Sequence, residues 1–205
     1  MPTIGNLICL TPRDSYVVDG PVRRRGVLGR LEGRIGPFVR SPGIGFPYLV
    51  GYFRKHGVLD DATRVAVQHD KIEGATPFTE ILVDKVDLSQ GDHDVLFITA
   101  YTNSVREAYR RAREARAAWG AAGKRLTVVL GGAHASAMPD EGTRLGHVDA
   151  IVAGEGEWAA AELLGDIRAG REVKPLYRAG FNRIRDRGSH RFHPAVHGVQ
   201  PDALP

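Results

Sequence analysis

Short apolar runs that alternate with stretches of helical periodicity constrain this chain more than any other feature. Such runs suit strands buried on both faces, and strands of that kind belong to parallel sheets whose crossovers are helices. The runs are Thr3 to Leu10, "RVAVQHD" from Arg64 to Asp70, "DVLFITAY" from Asp94 to Tyr101, "LTVVLGG" from Leu126 to Gly132 and "VDAIVAGEG" from Val148 to Gly156. Between them, "FPYLVGYFRKHG" carries Pro47 near its first turn and Gly57 just past its end. "ATPFTEILVDKVD" offers Thr76 as N-cap and Pro77 as the first helical residue, with Phe78, Ile81, Leu82 and Val86 at helical spacing. "SVREAYRRAREARAAWG" opens on a Ser104–Glu107 capping box. Its inner face reads Val105, Ala108, Ala112, Ala115 and Trp119, with the arginines turned to water. "EWAAAELLGDIRAG" buries Trp158, Leu163, Leu164 and Ile167 and stops at Gly170. The expectation is a doubly wound, Rossmann-like α/β protein with a five-stranded parallel sheet.

Ligands of such sheets bind beyond the carboxyl ends of the strands. The small and polar residues collect at that edge: Thr11 to Asp14, Thr102-Asn103, Gly131 to Met138 and Gly154 to Gly156. Two regions stand outside the alternation. Residues 14–45 form a long loop after the first strand, rich in glycine and arginine, and loops of that length tend to be functional. Residues 171–205 read as a basic C-terminal extension or linker, within which "KPLYRAG" and "HRFHPAV" have the composition of short edge strands. Residues 1–170 then make the domain.

Charge and cysteine usage narrow the function. The net charge of +4 is spread over helices rather than gathered into a stripe with aromatics, so nucleic acid is not an expected partner. The single Cys9 excludes an internal disulfide and any cysteine-built zinc or iron–sulfur site within this chain. It also fits a reducing, cytoplasmic setting. No apolar stretch approaches the ~20 residues a membrane span needs, and the first residues lack the pattern of a secretion signal.

Several motifs invite chemistry. "GEGEWA", Gly154 to Ala159, matches a dinucleotide fingerprint, but it falls at the last strand, and Glu155 and Glu157 would repel a pyrophosphate. A tight strand-to-helix turn explains its glycines better. "GVLGRLEGRIG" lacks the ending of a P-loop. His190, His193 and His197 have metal-like spacing without a carboxylate to orient them, and read as solvated. His134 follows Gly131-Gly132 at the ligand edge. It is either a loop histidine bonded to backbone or a contact to a cofactor. No nucleophile or general acid–base pair stands out, Cys9 reads as inert packing inside a strand, and Asp140-Glu141 begin a short helix.

The order of these motifs resembles the cobalamin (vitamin B12)-binding domain found N-terminal to radical S-adenosylmethionine enzymes, over roughly Thr3 to Gly170. The likeness is carried by "SPGIGFPYLVGYFRKHG", "DVLFITAYTNSVREAYRRAREAR", "VVLGGAHASAMPDEG" and "VDAIVAGEGEWAAAELLGDIRAG". It implies a corrin ring lying across the carboxyl edge, with its nucleotide tail between strands. Gly131 and Gly132 would leave room for the tail, Thr99 and Thr102 would line it, and Gly154 and Gly156 would let the last loop approach. The resemblance adds Thr11, Tyr101, His134, Ala135 and Glu155 to the cofactor-binding set. The D-x-H-x-x-G motif that supplies a lower axial histidine in other family members is absent after the first strand. That implies base-off cobalamin with an unassigned lower ligand; His134 sits in the wrong loop for that role. The C-x-x-x-C-x-x-C motif is also missing. The implied role is therefore a standalone module, not catalytic by itself. It would hold a corrinoid for methyl transfer by a radical S-adenosylmethionine or methyltransferase partner, docking through residues 171–205 or the Arg23 to Arg40 loop. The alternative is a degenerate relative that serves as a binding or regulatory subunit or takes another nucleotide-like ligand.

Overall fold

The computed structural model describes residues 2–13, 45–70 and 75–178. The strands are β1 (Ile4–Thr11), β2 (Arg64–His69), β3 (His93–Thr99), β4 (Arg125–Gly131), β5 (Ala150–Ala153) and β6 (Leu176–Arg178). They form one parallel sheet in the order β2-β1-β3-β4-β5-β6. The helices are α1 (Gly45–Lys55), α2 (Phe78–Asp84), α3 (Val105–Ala121), α4 (Ala133–Ala137), α5 (Glu141–Arg144) and α6 (Gly156–Arg168). None of them is long and apolar enough to cross a membrane.

The continuous apolar runs divide between two cores because successive strand side chains point to opposite faces. Ile8, Leu10, Leu96, Ile98, Val128 and Leu130 meet α2 and α3 on one face. Leu7, Cys9, Val95, Phe97, Val129 and Val152 meet α1 and α6 on the other. A strand that is apolar at every position is thus what a two-sided sheet requires.

The expected count of five strands is corrected to six. Leu176–Arg178 lies in the region read as an extension, within the expected edge strand "KPLYRAG", and pairs with β5. Three residues are too few to show a period, so side-chain anchors hold the strand instead. The buried Tyr177 hydroxyl donates to Asp166 Oδ2 at 2.8 Å and accepts the Lys174 amide at 3.0 Å. Burial pushes this phenol up to about 12.

Three helix details also differ from expectation. Pro77, not Thr76, occupies the N-cap of α2. Ser104 is the N-cap of α3 but forms no capping box. Its hydroxyl accepts the Tyr101 amide at 3.1 Å and donates to the Tyr101 carbonyl, while Glu107 turns to Arg110 and Arg13. Arg111 does not face water: its side chain is 1% exposed, pairs with buried Asp70 at 3.0 Å and lies 4.3 Å from the Phe78 ring. Periodicity did expose the inner face of α3 correctly, but it could not show that a distant carboxylate would draw one arginine inward.

At the amino ends of the strands the fold is braced by polar side chains. The fully buried Asp94 carboxylate accepts the Asn6 amide at 3.0 Å, Asn6 Nδ2 at 2.8 Å and Trp119 Nε1 at 2.8 Å. Backbones come close there as well, since a Cβ on Gly5 would lie 1.8 Å from the Gln90 carbonyl oxygen.

The Arg-rich loop residues Arg23, Arg24, Arg25 and Arg40, the glycine-rich "GVLGRLEGRIG", the histidines His190, His193 and His197, and "HRFHPAV" lie outside the described residues.

Candidate functional site

At the opposite edge the strand ends separate. Thr99 closes β3 directly beside Gly131 at the end of β4, and β5 stops at Ala153. Between these ends, α1 and the start of α6 lies a cavity of about 230 Å³. Buried Phe97, Val152 and Ala160 form its walls with Leu49 of α1. Thr99 contributes a hydroxyl that bonds to no described residue. Exposed Tyr48 and Glu155 stand at its rim, with Glu157 beside them, and no basic residue belongs to its described lining.

The glycines around this cavity exist for different reasons. Gly132 has φ 94°, and a Cβ there would lie 2.7 Å from Thr99 Oγ1 and 2.9 Å from the Ala100 carbonyl oxygen. The turn itself therefore demands glycine. Gly154 also has positive φ, at 84°. A Cβ on Gly156 would press on Leu49 at 3.3 Å. Gly131 is the exception: its nearest neighbour would be the Val152 carbonyl oxygen at an ordinary 3.7 Å, and its φ is not positive. Nothing among the described residues requires glycine at Gly131, and a larger side chain there would extend into the cavity.

The structure divides the expected site residues. Thr99, Gly131, Gly132, Gly154, Glu155 and Gly156 gather around the cavity. His134 and Ala135 lie on the α3 side of the sheet, in α4, and both are buried. His134 Nδ1 lies 3.3 Å from Thr102 Oγ1, and Nε2 lies 3.4 Å from Glu141 Oε1, which also accepts the Tyr109 hydroxyl at 3.1 Å. Side chains rather than backbone thus engage both ring nitrogens. Burial and the bond to Glu141 together hold the Tyr109 phenol well above its ordinary range. Tyr101 is 63% exposed just beyond β3, and Thr11 ends β1 opposite His69.

Residues that were not singled out complete the edge. Ser136 donates to the Gly132 carbonyl at 3.0 Å and accepts the Gly154 amide at 3.0 Å, tying the two glycine loops together. The run of small residues after Gly132 was its only signal. Leu49 was hidden among other apolar residues of α1. Arg13, just past β1, pairs with Glu107 at 3.3 Å. The bond from Arg110, helped by the charges of Arg110 and Arg13, holds the Glu107 carboxyl below its usual range.

A larger cleft of about 760 Å³ opens at the amino edge, lined in part by His93, Arg125, Thr127, Asp149 and Arg171. Most of its polar groups already serve the fold. His93 bonds Thr127 at 2.7 Å, Asp149 takes Arg116 and the Val128 amide, and Arg171 pairs with Asp166. It also lies at the wrong end of the strands for a ligand of this fold. Among the described residues no cluster of three or more His, Cys, Asp or Glu is placed to hold a metal ion.

Comparison with known proteins gives a family and a fold. The family profile described as B12 binding domain matches residues 39–164. The bacteriochlorophyllide d C-8(2)-methyltransferase of Chlorobaculum tepidum is 34% identical over 118 residues, which is 58% of this chain and 22% of that protein. An uncharacterised methyltransferase of Pyrococcus horikoshii is 31% identical over 148 residues, 70% of this chain and 31% of the relative. The chain thus spans about a fifth to a third of these curated relatives. Among solved structures, the cobalamin-dependent S-adenosylmethionine radical enzyme OxsB with aqua-cobalamin bound matches 83% of this chain and 19% of its own. The TM-score is 0.53 at 15% identity, a likeness of fold. The form that also holds S-adenosylmethionine gives a TM-score of 0.55.

Proposed function

Starting from the premise that this chain belongs to the B12-binding domain family, we propose that its carboxyl-edge cavity receives the nucleotide tail of cobalamin. The corrin ring would then rest outside the strand ends. The observation that carries this reading is Gly131. The fold permits a side chain there, and only the space above Val152 gains from its absence. The cavity also suits the group. An apolar cavity of about 150 Å³ holds a benzene, so 230 Å³ has room for a fused bicyclic aromatic. Walls of Phe97, Val152, Ala160 and Leu49 favour an apolar base, and Thr99 offers one hydrogen bond.

Cobalamin would supply methyl carriage through its cobalt, and the residues described here bind, orient and shield it. Ser136 holds the two loops in register across the cavity mouth. A tail seated in this cavity would leave the cobalamin base-off, with a lower ligand not drawn from the described lining, which holds no histidine. The chemistry belongs to a radical S-adenosylmethionine or methyltransferase component, for which this chain acts as the corrinoid-holding module. That proposal is supported by the relatives, in which the matching region is part of a longer enzyme. A cytoplasmic setting belongs to the same proposal. Glu155 and Glu157 at the rim, with no cation among the described lining, weigh against a free nucleotide as the ligand.

Anaerobic titration with hydroxocobalamin, followed by absorbance and thermal melting, tests the reading. Cobalamin should bind with a base-off spectrum and raise the melting temperature, since a ligand selective for the native state stabilises it. Stabilisation by nicotinamide or adenine nucleotides instead, with no response to cobalamin, would overturn it.

A further inference from the structure

We infer that the carboxyl-edge cavity discriminates among corrinoids by their lower base, taking an apolar benzimidazole and disfavouring a purine. This rests on the cobalamin reading above and adds to it a ligand class.

The polar inventory of the cavity is short. Its buried walls, Phe97, Val152 and Ala160 with Leu49, carry no side-chain donor or acceptor. The Gly131 carbonyl already accepts the Ala100 amide at 3.0 Å. Among the side chains of the described lining, apart from those at the rim, the Thr99 hydroxyl is what remains, and it bonds to no described residue. The Glu155 carboxylate is exposed and Glu157 half-buried, both at the start of α6 and at the opening rather than among the walls.

The two base types make different demands. A benzimidazole linked to its ribose and released from cobalt has one ring nitrogen with a free lone pair, and two methyl groups in the cobalamin form. One hydroxyl satisfies the nitrogen, and apolar walls suit the methyls. An adenine base brings an exocyclic amino group and additional ring nitrogens. Each loses its water on entry, and the wall side chains return nothing for it. An apolar pocket rejects added polar ligand atoms moderately, by about ten- to a hundredfold.

The experiment compares three corrinoids on the wild-type protein by anaerobic absorbance titration: cobalamin, the adenine-bearing analogue, and cobinamide, which lacks a base. Cobalamin should bind tightest. The adenine form should bind roughly ten- to a hundredfold more weakly, the range a hydrophobic pocket achieves, and so approach cobinamide. Thr99→Val, which keeps the shape of the strand residue, should weaken cobalamin several-fold while leaving cobinamide and the melting temperature unchanged. Equal or tighter binding of the adenine form would overturn the inference, as would equal binding of all three. Unchanged cobalamin affinity in Thr99→Val would remove the hydroxyl from it. Failure of all three corrinoids to bind is a separate outcome, because it contradicts the cofactor reading itself and takes the inference with it.

Discussion

The two ends of the sheet are built on opposite rules. At the amino end, Asp94 gathers three donors from Asn6 and Trp119, Lys124 binds the Leu88 and Gln90 carbonyls, and Gly5 touches the Gln90 backbone. Polar groups there meet inside the protein. At the carboxyl end, the strands stop on Thr99, Gly131 and Ala153, leaving a cavity, a hydroxyl that bonds to no described residue and a glycine that no described neighbour requires. The contrast separates residues that brace the fold from residues left over by its packing, which the proposed tail site would use, even though both ends are rich in glycine and polar side chains.

Each end can be challenged by substitution. Asp94→Ala should have the largest effect, a loss of about 3–5 kcal/mol in urea unfolding, as expected when a buried carboxylate is taken from its partners. Corrinoid affinity of the folded fraction should not change. A stability loss below the error of the measurement would mean that the amino end is not the brace described. Gly131→Leu should do the reverse. It should weaken cobalamin binding about a hundredfold, or about 2.7 kcal/mol, with the urea midpoint preserved. Retained affinity in that variant would break the comparison at the carboxyl end.

The alanine substitutions sharpen it further. Gly5→Ala must push against backbone and should cost about 1–3 kcal/mol. Gly131→Ala should be neutral or should stabilise by about 0.4–1 kcal/mol, because an added methyl meets no clash and restricts the unfolded chain. Equal losses at the two glycines would erase the distinction.

The smallest effect concerns pH. Burial, aided by the Arg125 charge, lowers the proton affinity of His93 at the amino end below its ordinary 6.5. The unfolded chain takes up that proton near 6.5, while the native state resists it. The stability this histidine contributes is therefore present above 6.5 and lost as pH falls below it. His93→Gln should flatten that acid limb of the stability profile, as read by urea midpoints between pH 7 and pH 5. An unchanged slope would show that His93 does not carry it.

Much of this was legible before any coordinates. Strands buried on both faces need apolar residues at every position, so β1, β3 and β4 announced themselves, and the sheet rule put the ligand at their carboxyl ends. The glycine pair marked the lining of the carboxyl-edge cavity but concealed two causes: Gly132 answers to backbone geometry and Gly131 to empty space. What escaped depended on distant partners. Arg111 looked solvated until Asp70, far away in the chain, was seen beside it. His134 read as either a loop histidine bonded to backbone or a cofactor contact, and its ring partners Thr102 and Glu141 could not be named from the sequence. β6 is too short to carry a period, so only the edge-strand composition of "KPLYRAG" announced it, and what anchors it, Tyr177 meeting Asp166, was not visible. Leu49 could not be told from its apolar neighbours, because periodicity gives a buried face and not what that face borders.

A crystal structure of the protein loaded with cobalamin tests the central claim most directly. The account predicts the lower base detached from cobalt and lying against Gly131 and Val152, with Thr99 in hydrogen-bonding reach of its ring nitrogen. A base still on cobalt outside an unfilled cavity, or cobalamin seated in the cleft at the amino end, would contradict it.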